Sequence, residues 1–245
     1  MRYGVAGDVH GNLHALQAVL AALREAGAER IVCPGDVVGY GPKPDACAEV
    51  LADADALVVA GNHDLMAIDR LPFEATGGIV RTTMEWTRAT ISDHTREWLA
   101  ALPLELWTDD GVLVTHGAIG DPTRYVRDES QALAQLGELS ERDPGARGLV
   151  LGHTHHPMAQ TDRHGRWLLN AGSVGQSRER RSIARALVFD SEAGVEGARF
   201  LELDYDLRAT RRELRAAGLP QHACHLAPGR LADVRRRVAS LASGG

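Results

Sequence analysis

The chain has 245 residues, 44% hydrophobic but only 4% aromatic, enough for one sizeable core or two small ones built on Leu, Val, Ile and Ala. A formal net charge of −6 and an isoelectric point near 6.0 exclude a general nucleic-acid or membrane-surface binder. A phosphorylated substrate stays open, because bound cations can provide the positive field that the chain lacks.

In chain order, residues 3–6 form a short apolar run that reads as a strand. Leu13, Leu16, Val19, Leu20 and Leu23 follow at helical spacing, with Asn12 placed to cap the helix and Gly27 to close it. A strand at 31–33, a helix at 45–51 and a strand at 57–59 continue a βαβ rhythm, which predicts parallel strands with crossover helices. Residues 65–103 change character: Met66, Trp86 and Trp98 sit in helix-like, charge-rich surroundings without a strand. They read as a helical cap insertion in a single domain spanning 1–245. Strand patterns resume at 104–107, 112–115 and 149–151, with a helix at 129–139 between the last two. More hairpin-like strands follow at 167–169, 185–189 and 198–203. Helices are expected at 206–217 and 230–241, and a frayed tail at 243–245. Cys33, Cys47 and Cys224 are an odd set with no C-x-x-C pair, and no run approaches the roughly 18 apolar residues of a membrane span. A cytoplasmic protein with no membrane partner is expected.

Five apolar runs end alike: at Asp8, Asp36, Asn62, His116 and His153, with glycine just before four of them. In α/β sheets, ligands bind beyond the carboxyl ends of the strands. Glycine lets the backbone turn sharply and approach closely there. His10 and His155 lie two residues after Asp8 and His153, and in extended backbone i and i+2 point to one side. Asp8, His10, Asp36, Asn62, His116, His153 and His155 thus make seven N/O donors, which suits two divalent ions better than one tetrahedral ion. Singly, each has a bland reading: Asp8 as a helix cap, Asn62 as a turn residue, His116 as a satisfied buried histidine. Seven in order favour the ligand set. His14, His94, His156, His164, His222 and His225 read as structural or solvated, and Trp86 and Trp98 as core.

Asp8-Val9-His10, Gly35-Asp36, Gly61-Asn62-His63-Asp64, His116 and Gly152-His153-Thr154-His155 resemble, in order, the five blocks of the calcineurin-like metallophosphoesterase superfamily. The resemblance implies a four-layer α/β/β/α sandwich with two central mixed sheets and a dinuclear centre. Asp8, His10, Asp36 and His155 would hold one metal; Asp36, Asn62, His116 and His153 would hold the other, with Asp36 bridging. His63 resembles the family's non-ligand histidine beside the leaving group: as imidazolium it would protonate the leaving oxygen after attack by metal-bridging hydroxide, with Asp64 orienting its ring. Two divalent cations are implied, manganese first, with Fe, Zn, Ni or Co also suited to the donor set. The protein-phosphatase branch typically carries Asp-Arg-Gly after its second block and Gly-Asn-His-Glu in its third. Here the second block runs Gly35-Asp36-Val37-Val38-Gly39-Tyr40-Gly41-Pro42 without that Arg and the third ends in Asp64, so the sequence looks more like the small bacterial phosphodiesterases. Tyr40 occupies the loop of the missing clamp and is a candidate substrate contact. Arg178 opens a basic run after Asn170-Ala171-Gly172-Ser173, which resembles a family loop, and is a candidate phosphate contact. The expected function is hydrolysis of small phosphodiesters, without stable nucleic-acid binding. A phosphomonoesterase, a protein Ser/Thr phosphatase and a dinucleoside polyphosphate hydrolase are the enzymatic alternatives. A binding scaffold is disfavoured because every donor and His63 are present.

Overall fold

The computed structural model describes residues 1–74 and 76–226, so the helix and tail expected at 230–241 and 243–245 lie outside the described residues. The elements run β1 (Arg2–Val5), α1 (Leu13–Glu25), β2 (Arg30–Cys33), α2 (Pro44–Asp53), β3 (Leu57–Val58), α3 (Asn62–Ala67), α4 (Gly78–Thr90), α5 (Asp93–Ala101), β4 (Glu105–Trp107) and β5 (Val112–Thr115). They continue as α6 (Glu129–Arg142), β6 (Gly148–Leu151), β7 (Pro157–Thr161), β8 (Trp167–Ala171), β9 (Ala184–Asp190), β10 (Arg199–Leu203) and α7 (Leu207–Ala216). One five-stranded mixed sheet has the order β10-β9-β1-β2-β3 and the other β4-β5-β6-β8-β7. The expected parallel strands are β1, β2 and β3 in the first sheet and β5, β6 and β8 in the second. β7–β8 and β9–β10 are antiparallel pairs.

The inner strands β5, β6 and β8 are largely apolar because both of their faces are covered. Tyr3 and Val5 point between the sheets, where they join Val32, Leu187 and Phe189 against Val114, Val150, Trp167 and Leu169. Gly4 faces the other way, where a Cβ would stand 3.0 Å from Leu23 of α1. On that outer face Cys33, Val58, Ala186 and Val188 pack under Leu16, Leu20 and Leu23 of α1 and Cys47 and Leu51 of α2. Leu113, Leu149, Leu151 and Leu168 point outward from the second sheet, beneath Leu136 and Leu139 of α6. The result is the expected α/β/β/α layering.

Two local features differ from expectation. β7 has no apolar run; it is an edge strand that begins at Pro157 and leaves alternate residues exposed, a place where a missing N–H costs no ladder bond. The polar residues after β3 do not form a loop; they open helix α3, with Gly61 as its N-cap. Residues 65–103 are mainly helical. Trp98 packs beside the core under the first sheet, and Trp86 beside Tyr40, Leu214 and Leu219. Asn12 caps α1 through Oδ1, which accepts Ala15 N–H at 3.3 Å. Among the described residues no helix is long and apolar enough to cross a membrane.

Candidate metal centre

Past the ends of β1 and β2 the backbone ladder continues into the loops. Asp8 N–H donates to Gly35 O at 3.0 Å, His10 N–H to Asp36 O at 2.9 Å and Gly11 N–H to Val37 O at 2.9 Å. The extended backbone expected at Asp8/His10 and His153/His155 is absent. All four adopt left-handed φ, at 51°, 51°, 67° and 62°, as do Asp36 at 55° and Tyr40 at 54°. Among the described residues eight non-glycine residues have positive φ, and these are six of them. Each costs on the order of 1–3 kcal/mol and persists only where its surroundings over-determine it. Here the interlocked loop ladder does so. The glycines serve close approach: a Cβ at Gly61 would fall 2.2 Å from Asp36 Oδ1, and one at Gly152 would fall 2.8 Å from Asp8 Oδ2.

These loops gather the seven sequence-derived donors into two groups. Ligand atoms of Asp8, His10, Asp36 and His155 lie within 4.8 Å of one another, as do those of Asp36, His116 and His153. Asn62 Oδ1 joins the second group, 3.0 Å from His116 Nε2. Backbone carbonyls set the ring orientations. His10 Nδ1 donates to Val38 O at 3.2 Å, and His155 Nδ1 to Gln176 O at 2.9 Å. A carbonyl only accepts, so in the neutral rings Nε2 carries the lone pair. His153 is reversed, with Nε2 donating to Thr123 O at 3.0 Å and Nδ1 left as the lone pair. The Nε2 atoms of His10 and His155 stand 3.1 Å apart. Two facing lone pairs repel, and a cation between them removes the conflict. At His116 both nitrogens face acceptors, Pro34 O at 2.7 Å and Asn62 Oδ1, so a proton on Nε2 and a metal ion there are alternatives. Imidazoles, carboxylates and an amide oxygen, all buried, fit a divalent transition metal.

Residues 1–194 match the profile of the calcineurin-like phosphoesterase superfamily domain. The chain belongs to that superfamily. A metallophosphoesterase from Sphaerobacter thermophilus is similar at 28% identity and TM-score 0.73, over 95% of this chain and 98% of that one. A hypothetical protein from Pyrococcus horikoshii OT3 shares the fold at 21% identity and TM-score 0.76, over 91% and 96%. An uncharacterised protein of Methanocaldococcus jannaschii is 27% identical over 238 residues, 89% of this chain and 93% of its own length. The protein is therefore a phosphoric ester hydrolase with a buried His/Asp cluster suited to divalent metal.

In this phosphoesterase the buried carboxylates crowd one another. Burial pushes Asp8 up to about 7, with His116 pulling down and Asp36 pushing up. Asp36 sits well below the usual range: burial works against this, but His116 and His63 hold its charge. In return Asp36 overcomes burial and lifts His116 to about 9. Burial brings His153 down to about 3 and holds His10 and His155 well below the ordinary histidine value. A divalent cation bound there would relieve the carboxylate crowding without protons.

His63 lies on the cleft wall, its ring centroid 4.8 Å from that of His10 and 4.7 Å from that of Tyr40. Its Nδ1 is buried without a hydrogen-bond partner, and burial lowers its pKa. The expected pairing with Asp64 is not what the structure shows. Asp64 Oδ2 accepts Gly61 N–H at 2.9 Å and Oδ1 accepts Val38 N–H at 3.0 Å. Asp64 is the third residue of α3, and its carboxylate turns back to cap that helix. Tyr40 and Arg178 line the same 230 Å³ cleft as Asp36, Asn62, His63 and His155. Sequence reasoning did not identify Tyr125, which stacks on His153 with centroids 3.8 Å apart, or Gln176, whose carbonyl orients His155 and whose Oε1 holds Arg178 Nε at 3.1 Å. No spacing signal marks either; both arrive by long-range packing. His14 pairs with Glu213 at 3.3 Å and His225 Nε2 bonds Glu179 O at 2.9 Å, away from the donors.

Proposed function

We propose that this phosphoesterase is a dinuclear, divalent-metal-dependent phosphodiesterase acting on small phosphodiesters, with manganese the preferred ion. The observation that carries the reading is the pair of donor groups sharing Asp36, which lines one small cleft together with Asn62, His153 and His155. Asp8, His10, Asp36 and His155 would hold one ion, and Asp36, Asn62, His116 and His153 the other. When bound, such ions supply Lewis-acid charge to the phosphoryl oxygens and make water acidic near neutral pH. Arg178 and Tyr40 line the same cleft, where Arg178 would meet those oxygens and Tyr40 would border the substrate. His63 packs Nδ1 against Gly39, where a Cβ would stand 2.5 Å away, so Nε2 is the nitrogen that meets the leaving oxygen and protonates it. A bound phosphate ester would favour the charged ring that burial alone disfavours. Met66, Thr76 and Val80 close one side of the cleft, which supports a capping role for residues 65–103 and a small substrate. A single guanidinium in the cleft suits the one charge of a diester better than the two of a monoester. Three buried, unpaired thiols support a reducing cytoplasm.

The test is hydrolysis of bis(p-nitrophenyl) phosphate and of p-nitrophenyl phosphate by protein reconstituted with Mn²⁺, alongside metal analysis. The diester is expected to show the higher kcat/KM with two ions per chain. A higher monoester kcat/KM overturns the diester preference.

A further inference from the structure

A second pocket of 250 Å³ adjoins the cleft, and Tyr125 and Arg178 line both. Arg127, Thr154, His156, Pro157 and Met158 complete its lining, and no carboxylate lines it. The Arg127 guanidinium lies 3.9 Å from the centroid of the Tyr125 ring, whose other face is covered by His153. Both faces of Tyr125 are thus taken, so the ring offers no platform for a base. Arg127 is instead held over that ring at the pocket wall. Arg178 is fixed by Gln176 Oε1 at 3.1 Å and by His155 Nε2 at 3.3 Å. Among the described residues neither guanidinium has a carboxylate within ion-pair distance, whereas Arg142, Arg166, Arg181 and Arg185 all do. In a chain of net charge −6, two uncompensated guanidiniums flanking one pocket form a localised anion field.

The geometry points to a second oxyanion subsite: the pocket between Arg127 and Arg178 takes a phosphate or carboxylate on the non-reacting arm of the substrate. This rests on the phosphodiesterase reading for the position of the scissile ester. It narrows the substrate class to phosphodiesters that carry a further anionic group one pocket away from the reacting phosphorus.

The experiment compares p-nitrophenyl phenyl phosphate with its 4-carboxyphenyl and 4-phosphonophenyl analogues, which share one leaving group. On the Mn²⁺-loaded full chain an anionic arm should lower KM by about tenfold, the effect of one charge-assisted contact. The larger effect tells whether phosphate or carboxylate is preferred. Arg127→Ala should abolish that advantage, while Arg163→Ala, which removes the same charge at an exposed turn, should preserve it. Equal KM for all three esters, or an advantage that survives Arg127→Ala, overturns the subsite. Titration of the metal-free full chain with inorganic pyrophosphate provides a readout independent of turnover: Arg127→Ala should weaken binding by about tenfold. Unchanged binding, or none in the parent protein, overturns the subsite. If no ester is hydrolysed but pyrophosphate binding depends on Arg127, the subsite stands and the phosphodiesterase reading falls.

Discussion

The two sheets contribute unlike halves to the centre. The first sheet sends in Asp8, His10 and Asp36 on loops that hydrogen-bond to one another, and Asn62 as the first residue of α3. The second sends in His116, His153 and His155, which reach across. His116 Nδ1 donates to Pro34 O and the His153 amide to Asp8 Oδ1 at 3.1 Å. Both carboxylates therefore sit on the first half, beside His10 and Asn62, and the second half contributes imidazoles only. A carboxylate misplaced by an ångström would face another carboxylate in a dry site, whereas an imidazole tolerates small rotations about its carbonyl anchor.

Breaking the shared element should have the largest effect. Asp36→Asn is expected to cost more than about 100-fold in turnover and to empty both metal positions. His116→Ala should retain the ion held by Asp8, His10 and His155, and metal analysis would then find about one ion per chain instead of two. Loss of both ions from His116→Ala would end the idea of two separable halves.

A second contrast lies within the first half, between neighbours His63 and Asp64. His63→Ala should keep its metal and lose roughly 10²–10⁴-fold in turnover on esters with poor leaving groups, with little loss on p-nitrophenyl esters. Asp64→Asn should cost about 1–2 kcal/mol of stability and leave the leaving-group dependence unchanged, because its oxygens serve the amides of Gly61 and Val38. A leaving-group dependence altered by Asp64→Asn as it is by His63→Ala would restore the pairing that the resemblance implied.

The smallest effect concerns the far end of the sheets. There Asp110, in the β4–β5 turn, accepts Tyr3 OH from β1 at 2.6 Å, Thr108 Oγ1 at 2.9 Å and a bond from Ser191 Oγ. Burial works against its charge, but the Ser191, Tyr3 and Thr108 bonds prevail and hold its pKa at about 2. A folded pKa below the ordinary carboxylate value stabilises the protein above that value and loses its contribution as pH falls through about 2. The stability difference between the parent and Asp110→Asn, read from urea midpoints, should shrink between pH 5 and pH 2, and turnover should be unaffected.

The sequence by itself determined the strands that are buried on both faces, since only such strands must be apolar at every position, and it marked five donors by their place at a strand end and His10 and His155 by their spacing from two of these. It left β7 invisible, because an edge strand needs no apolar run. The family resemblance suggested Asp64 as a partner for His63, although the third residue of a helix turns its carboxylate back to the N-cap. Only the tertiary structure decided the left-handed backbone at Asp8, His10, Asp36, His153 and His155, since those conformations are held by bonds between loops far apart in the chain. The same holds for Tyr125 and Arg127: a stacking partner for a metal-site histidine is chosen by what packs beside it, and spacing along the chain carries no trace of that.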